Sequence, residues 1–151
     1  MSDQQGTAEV LSVSAAWALL REEAVGRVCV VVDGQPEIFP VNFLVDHGSI
    51  VFRTAEGTKL NASIGRPVAF EVVSYDLSNG EAWSVVLKGM AREVVRMHEL
   101  IDTLQLPLFP WHAAPKPQVV RIEPTVISGR RFHAVAHDGS AVPAPRRSAH
   151  E

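Results

Sequence analysis

Asp33-Gly34, set between Val28-Cys29-Val30-Val31-Val32 and a second run from Glu37 to Val45, restricts the fold more than any other feature of the chain. Asp-Gly suits the centre of a two-residue hairpin turn, where both residues take positive φ. The flanking runs are rich in β-branched residues, which favour strands. Antiparallel strands joined by tight turns follow, and the pattern repeats. Ser49 to Arg53 comes after the turn Asp46-His47-Gly48, and Val68 to Val73 comes after Arg66-Pro67. Glu81 to Val95 reads as one long strand in which Trp83, Val85 and Leu87 alternate with Ser84, Val86 and Lys88. Gly89 marks a bulge or a close backbone approach within it. Gln118 to Ile122 and Thr125 to Phe132 form the last strands, interrupted by Pro124. Pro40 inside its own strand predicts an edge or a bulge, which leaves backbone groups near Phe39-Pro40-Val41-Asn42 for a ligand or another chain.

Helices are inserted at three places. Ser12 and Ser14 are both candidate N-caps for a helix through Trp17, Leu19 and Leu20 to about Glu23, stopped by Gly26. A short helical pattern runs from Thr58 to about Ile64, and a third helix covers Met97 to Leu104 with Leu100, Ile101 and Leu104 as its stripe. Pro107-Leu108-Phe109-Pro110-Trp111 is a loop that packs against or lids something. About six hairpin-linked, proline-broken strands in 151 residues predict a mainly β fold, a small antiparallel barrel with inserted helices. No Gly-x-Gly-x-x-Gly follows the first strand, which argues against a dinucleotide-binding parallel sheet. The organisation is a flexible stretch over 1–10, one domain over 11–135, and a disordered tail over 136–151.

Charge narrows the partners. A formal net charge of −3 lacks the basic face that nucleic acid requires. No apolar run approaches the roughly 20 residues that span a bilayer, and Met1 to Glu9 is polar, so a soluble cytoplasmic protein is expected. The single cysteine, Cys29, is read as a buried structural thiol.

One stretch carries chemistry. In Phe52-Arg53-Thr54-Ala55-Glu56-Gly57-Thr58-Lys59-Leu60 an apolar strand ends abruptly and a glycine turn opens a helical pattern. A guanidinium, two hydroxyls, an ammonium and the amides of a helix start are the groups that hold a phosphate. The plainer reading is a strand-to-helix turn with a solvated Arg and Lys. Hydrolytic or metal chemistry finds no support: the six histidines have no ligand spacing, and Glu71, Asp76 and Glu81 form no convincing carboxylate pair.

Gly26-Arg27-Val28, Pro40-Val41-Asn42-Phe43, the Phe52–Leu60 stretch, Val68-Ala69-Phe70-Glu71, Trp83-Ser84-Val85-Val86-Leu87-Lys88-Gly89 and Ile127-Ser128-Gly129-Arg130-Arg131-Phe132 fall in order over residues 12 to 132. That ordered set resembles the pyridoxamine-5′-phosphate-oxidase-like split-barrel flavoproteins, most of all their nitroimidazole-resistance-like, actinobacterial branch. The resemblance implies a six-stranded antiparallel split β-barrel and a homodimer with two flavin sites at the subunit interface. It implies that Arg53, Thr54, Gly57, Thr58 and Lys59 hold the cofactor phosphate. Pro40, Val41 and Asn42 would lie along the flavin ring, and Trp83 and Ser84 would reach the site from one of the two subunits. On its own residues Trp83 could equally pack in the barrel or dimer core. The oxidases proper carry Ser-Arg-Lys where this chain has Gly57-Thr58-Lys59, and the substrate-phosphate residues find no match, so pyridoxamine-phosphate oxidation is not expected. The expected function is an FMN-dependent oxidoreductase acting on a small organic molecule. Its alternatives are an F420-dependent reductase of the same fold and a non-catalytic flavin- or haem-binding module.

Overall fold

A computed structural model describes residues 8–55, 57–76, 78–95 and 117–134. The helix expected over Met97 to Leu104, the loop from Pro107 to Trp111 and the tail over 136–151 lie outside these residues. The elements in order are β1 (Glu9–Val10), α1 (Val13–Arg21), β2 (Val25–Val32), β3 (Gln35–Asp46), β4 (Ser49–Ala55), a 3-10 turn (Leu60–Ser63), β5 (Pro67–Asp76), β6 (Glu81–Glu93) and β7 (Pro117–His133). Every strand pair is antiparallel, in the order β1-β7-β4-β3-β2-β5-β6, and a further β7–β6 pairing closes the six long strands into a barrel. The predicted mainly β split barrel is the fold found.

The hairpin turn is built as its sequence dictates. Asp33 (φ 51°) and Gly34 (φ 76°) join Val32 to Gln35, and His47 (φ 48°) with Gly48 (φ 66°) joins Asp46 to Ser49 in the same way. Alternation then sends Val28, Val30, Val41, Phe43, Ile50, Phe52, Val68, Phe70, Val72, Val85 and Leu87 inward. Phe43 and Phe70 meet edge to face with centroids 4.9 Å apart. α1 closes one end of this core. Ser12 is its N-cap, accepting from the Ala15 amide at 3.1 Å, and Ala16 and Leu20, one turn apart, are buried in the core with Trp17 beside them.

Several sequence expectations give way to packing. Gly26 does not stop a helix: α1 ends at Arg21 and β2 already begins at Val25. A Cβ at position 26 would stand 2.3 Å from the Phe70 ring, so glycine is there to seat that ring. Glu9 and Val10, taken as part of a flexible stretch, pair with Arg131 and Arg130. Cys29 is half-buried on the outer phase of β2, between Ile38 and Ala69, because Val28 and Val30 take the inner one.

The two last strands are one. Lys88 faces Val126 and Gly89 faces Pro124, so Thr125 is the extra residue of a β-bulge. The bulge flips the phase: Val120 and Ile122 point inward before it and Ile127 after it. A Cβ on Gly89 would lie 2.0 Å from the Glu123 carbonyl oxygen, which is the close backbone approach expected of this glycine.

Candidate functional site

β3 and β4 run together from Asp46↔Ser49 to Phe43↔Phe52, and there their ladder ends. β3 continues to Gln35 against β2, and β4 continues to Ala55 against β7. Among the described residues the Gln35–Val41 stretch thus has a strand neighbour on one side only, which suits Pro36 and Pro40, neither having an N–H to give. A groove opens between this stretch and the turn that leaves β4. The barrel is split here.

Arg53 stands one residue past Phe52, opposite Val119 of β7, and Asn42 takes the matching step on β3. The Arg53 Nε is buried and has no hydrogen-bond partner among the described residues. Such an atom is costly to leave unpaired, and it is a donor available to an incoming oxygen. Alternation turns Thr54 to the opposite face of β4, where it is 7% exposed. Its Oγ1 lies 3.2 Å from the Thr58 Oγ1, which donates to the Ala55 carbonyl at 2.8 Å and accepts from the Asn61 amide at 3.1 Å. Both hydroxyls therefore brace the turn, with Gly57 at φ 81°. The helix predicted from Thr58 to Ile64 is only the 3-10 turn Leu60–Ser63, and its Asn61 and Ala62 amides are already engaged. A phosphate here would meet side-chain cations, not a helix start.

The second cation is Lys59. Its Nζ lies 3.1 Å from Glu37 Oε1, and this ion pair spans the groove from the turn to β3. The side chains are 69% and 29% exposed. Glu37 has no place in the sequence expectations, although one signal marks it: it is a lone carboxylate on the phase of β3 that carries Phe39, Val41 and Phe43. Behind Thr54, Gln118 pairs across from it on β7 and donates to Glu93 Oε1 at 3.2 Å. Oxygens of Gln118, Asn61 and Ser63 are likewise buried without partners. No local motif announces these residues, because only the β7 ladder brings Gln118 and Glu93 to Thr54.

The remaining expected site residues are distributed unevenly. Pro40 and Asn42 lie on the outer phase of β3, opposite to that of Glu37, whereas the Val41 side chain is 2% exposed in the core and offers only its backbone. Trp83 packs against the core and pairs with Arg131, while Arg53 pairs with Val119 near the other end of β7. Within this chain Trp83 and Ser84 do not join the Arg53 turn. The groove itself fits an anionic group on an organic body: an open guanidinium N–H, a reachable ammonium, and a strand with one free side.

A second polar cluster lies at the other end of β4. Arg121, 8% exposed, donates from Nη1 to the Asp46 carbonyl (3.1 Å) and to Ser49 Oγ, and from Nη2 to Asp46 Oδ2 (2.9 Å). His47 Nδ1 lies 3.0 Å from Asp46 Oδ1. Burial alone would push the Asp46 carboxyl up; hydrogen bonds from His47 and Arg121, with the guanidinium charge, outweigh it and hold the carboxyl below its ordinary value. Among the described residues no group of three His, Cys, Asp or Glu could hold a metal ion, and no helix is long and apolar enough to cross a membrane.

The profile of a family described as pyridoxamine 5′-phosphate oxidase matches residues 12–131. The chain is 34% identical over 125 residues to the uncharacterized protein Rv0080 of Mycobacterium tuberculosis, covering 79% of this chain and 82% of that one. Among solved structures it resembles the FAD binding protein of Mycobacterium smegmatis, with 41% identity, a TM-score of 0.73, and 82% of this chain and 97% of that one covered. It also resembles a Corynebacterium glutamicum protein provisionally described as a pyridoxamine 5′-phosphate oxidase, with 34% identity, a TM-score of 0.74, and 90% and 100% coverage.

Proposed function

The chain belongs to the pyridoxamine 5′-phosphate oxidase family, and on that premise we propose that it is a flavin-dependent oxidoreductase of a small organic molecule, with the cofactor phosphate at the Arg53–Lys59 turn. Membership of a flavin-binding family and the open Arg53 Nε carry the reading together: a buried guanidinium N–H that no described residue answers, on the strand that leads into the turn of Lys59, is matched by a phosphate oxygen. FMN is the cofactor first expected, F420 is its deazaflavin variant, and the M. smegmatis neighbour, described as an FAD binding protein, adds FAD.

Bound there, a flavin would supply the two-electron chemistry, and the chain's residues would supply position and exclusion of water. Arg53 and Lys59 fix the phosphate end. The one-sided backbone of β3 from Phe39 to Asn42 would offer its groups to the flavin ring. No acid–base pair is required of the protein for hydride transfer at an open ring face.

The reading includes a homodimer. The outer face of β2, β3, β5, β6 and β7 leaves Val31 (55% exposed), Ile38 (62%), Val73, Met90 and Val126 in water, a concentration more typical of an interface than of a monomer surface. Two depressions flank Cys29 on this face, about 380 Å³ beside Lys88, Met90 and Thr125 and about 310 Å³ beside Arg27, Ile38 and Glu71. A second copy would also bring Trp83 and Ser84 within reach of a turn that they cannot approach in their own chain.

Titration with FMN, FAD and F420, followed by fluorescence, tests the assignment. Micromolar or tighter binding of at least one, abolished when Arg53 and Lys59 are both replaced by Ala, is the expected result. Binding that survives the double replacement removes the phosphate assignment, and a monomeric mass by light scattering removes the dimer. Turnover separates the enzyme from a binding module: a substrate must reoxidise the reduced cofactor faster than oxygen does.

A further inference from the structure

We propose that Glu37 is a specificity residue of the groove, selecting cofactors whose phosphate carries a single negative charge, the linkages of FAD and F420, over the terminal phosphate monoester of FMN. The inference rests on the preceding reading that a flavin-type cofactor puts its phosphate at this turn, and it adds which phosphate chemistry the turn accepts.

The charges lining the groove carry the argument. Among the described residues Lys59 and Glu37 make a neutral pair at this turn, and Arg53 adds one positive charge from the other face of β4. Glu93, bonded to Gln118 behind Thr54, adds a second carboxylate close by. A phosphate monoester carries about −1.5 to −2 at neutral pH because its second pKa is near 6, whereas a diester or internal anhydride phosphate stays at −1. Two cations with no opposing carboxylate would suit the monoester. Here the Lys59 ammonium is already held 3.1 Å from Glu37 Oε1.

A phosphate that takes this ammonium where it stands sits within a few ångströms of the Glu37 carboxylate. The hydroxyls that might have absorbed extra charge are unavailable, since Thr58 donates to Ala55 and Thr54 is paired with Thr58. The Lys59–Glu37 pair is solvent-facing, so it opens readily and biases the site without locking it. At contact distance an additional like charge near a protein surface changes affinity by about tenfold. Glu37 thus discriminates by charge, independently of the adenylate or other extension beyond the first phosphate.

The test is calorimetric titration of the intact protein with FMN, FAD and F420 at one fixed ionic strength, comparing wild type with Glu37→Gln and Glu37→Ala. Glu123→Gln, which removes the same charge elsewhere on β7, is the control, and thermal melts establish that each variant is folded. Both Glu37 variants should tighten FMN by about tenfold and FAD or F420 by no more than about threefold, so the affinity ratio falls; Glu123→Gln should leave the ratio unchanged. Equal tightening of all three cofactors, or no change, overturns the role of Glu37 while leaving the phosphate assignment intact. Failure of the wild type to bind any of them overturns the flavin reading, and this inference with it.

Discussion

Arg53 of β4 and Arg121 of β7 stand two register steps apart on the same ladder, at Arg53↔Val119 and Val51↔Arg121, yet the protein treats them in opposite ways. Arg121 is enclosed and answered by Asp46 and Ser49, with His47 joining from the turn. Arg53 has a buried Nε that no described residue answers, and Lys59, further along the turn, is an exposed ammonium paired with the half-buried Glu37. A buried charge that the chain satisfies for itself is architecture: it pins the β3–β4 hairpin to β7. One that is held in place and left open is poised for something that the chain does not contain. The two arginines look alike in the sequence, and only their partners separate them.

The largest effect that would sharpen this contrast is loss of the closed cluster. Arg121→Met leaves Asp46 without its guanidinium and should cost about 3 kcal/mol of stability, read as a lower midpoint in urea unfolding. A loss below about 1 kcal/mol would break the distinction. Next comes Arg53→Ala, which should leave stability within about 1 kcal/mol while weakening flavin binding by the 1.5–3 kcal/mol typical of a charged hydrogen bond. An Arg53 variant that unfolds as readily as the Arg121 variant would make both arginines structural. The smallest effect is in acid. The Asp46 carboxyl is depressed in the folded state, so its contribution is present above the unfolded value near 3.9 and is lost as pH falls through the folded one. Asp46→Asn should therefore flatten the acid limb of the stability curve below about pH 4, whereas Arg53→Ala should leave that limb unchanged.

Local signals carried much of the fold. Asp33-Gly34 set the first hairpin, Gly89 announced the close approach to Glu123, and Pro40 marked the stretch where β3 keeps one neighbour. What escaped depends on contacts between distant segments. Gly26 reads as a helix stop until the Phe70 ring is seen above it, and β7 reads as two strands because Pro124 interrupts the run, whereas the ladder to β6 carries on through a bulge at Thr125. The site was legible as a stretch and not as an arrangement. Arg53 and Thr54 are adjacent in sequence, but a strand turns them to opposite faces. Gln118 and Glu93 arrive from other strands and leave no local trace, and Glu37 leaves only a lone carboxylate among apolar residues of its phase.

The closure of the barrel has a consequence in time. β7 answers β1, β4 and β6 at once, with partners near residues 9, 50 and 90, and it is the last of the strands to leave the ribosome. Until it emerges, β4 and β6 are open edges of a partly formed sheet, each able to pair with another nascent chain. Arg53 lies on the part of β4 that β7 covers, so its surroundings are completed only after synthesis has passed β7. Contacts this far apart in sequence make closure the slow step of folding. A flavin present at that moment would favour the closed form by mass action, acting on the yield of native protein as well as on its chemistry.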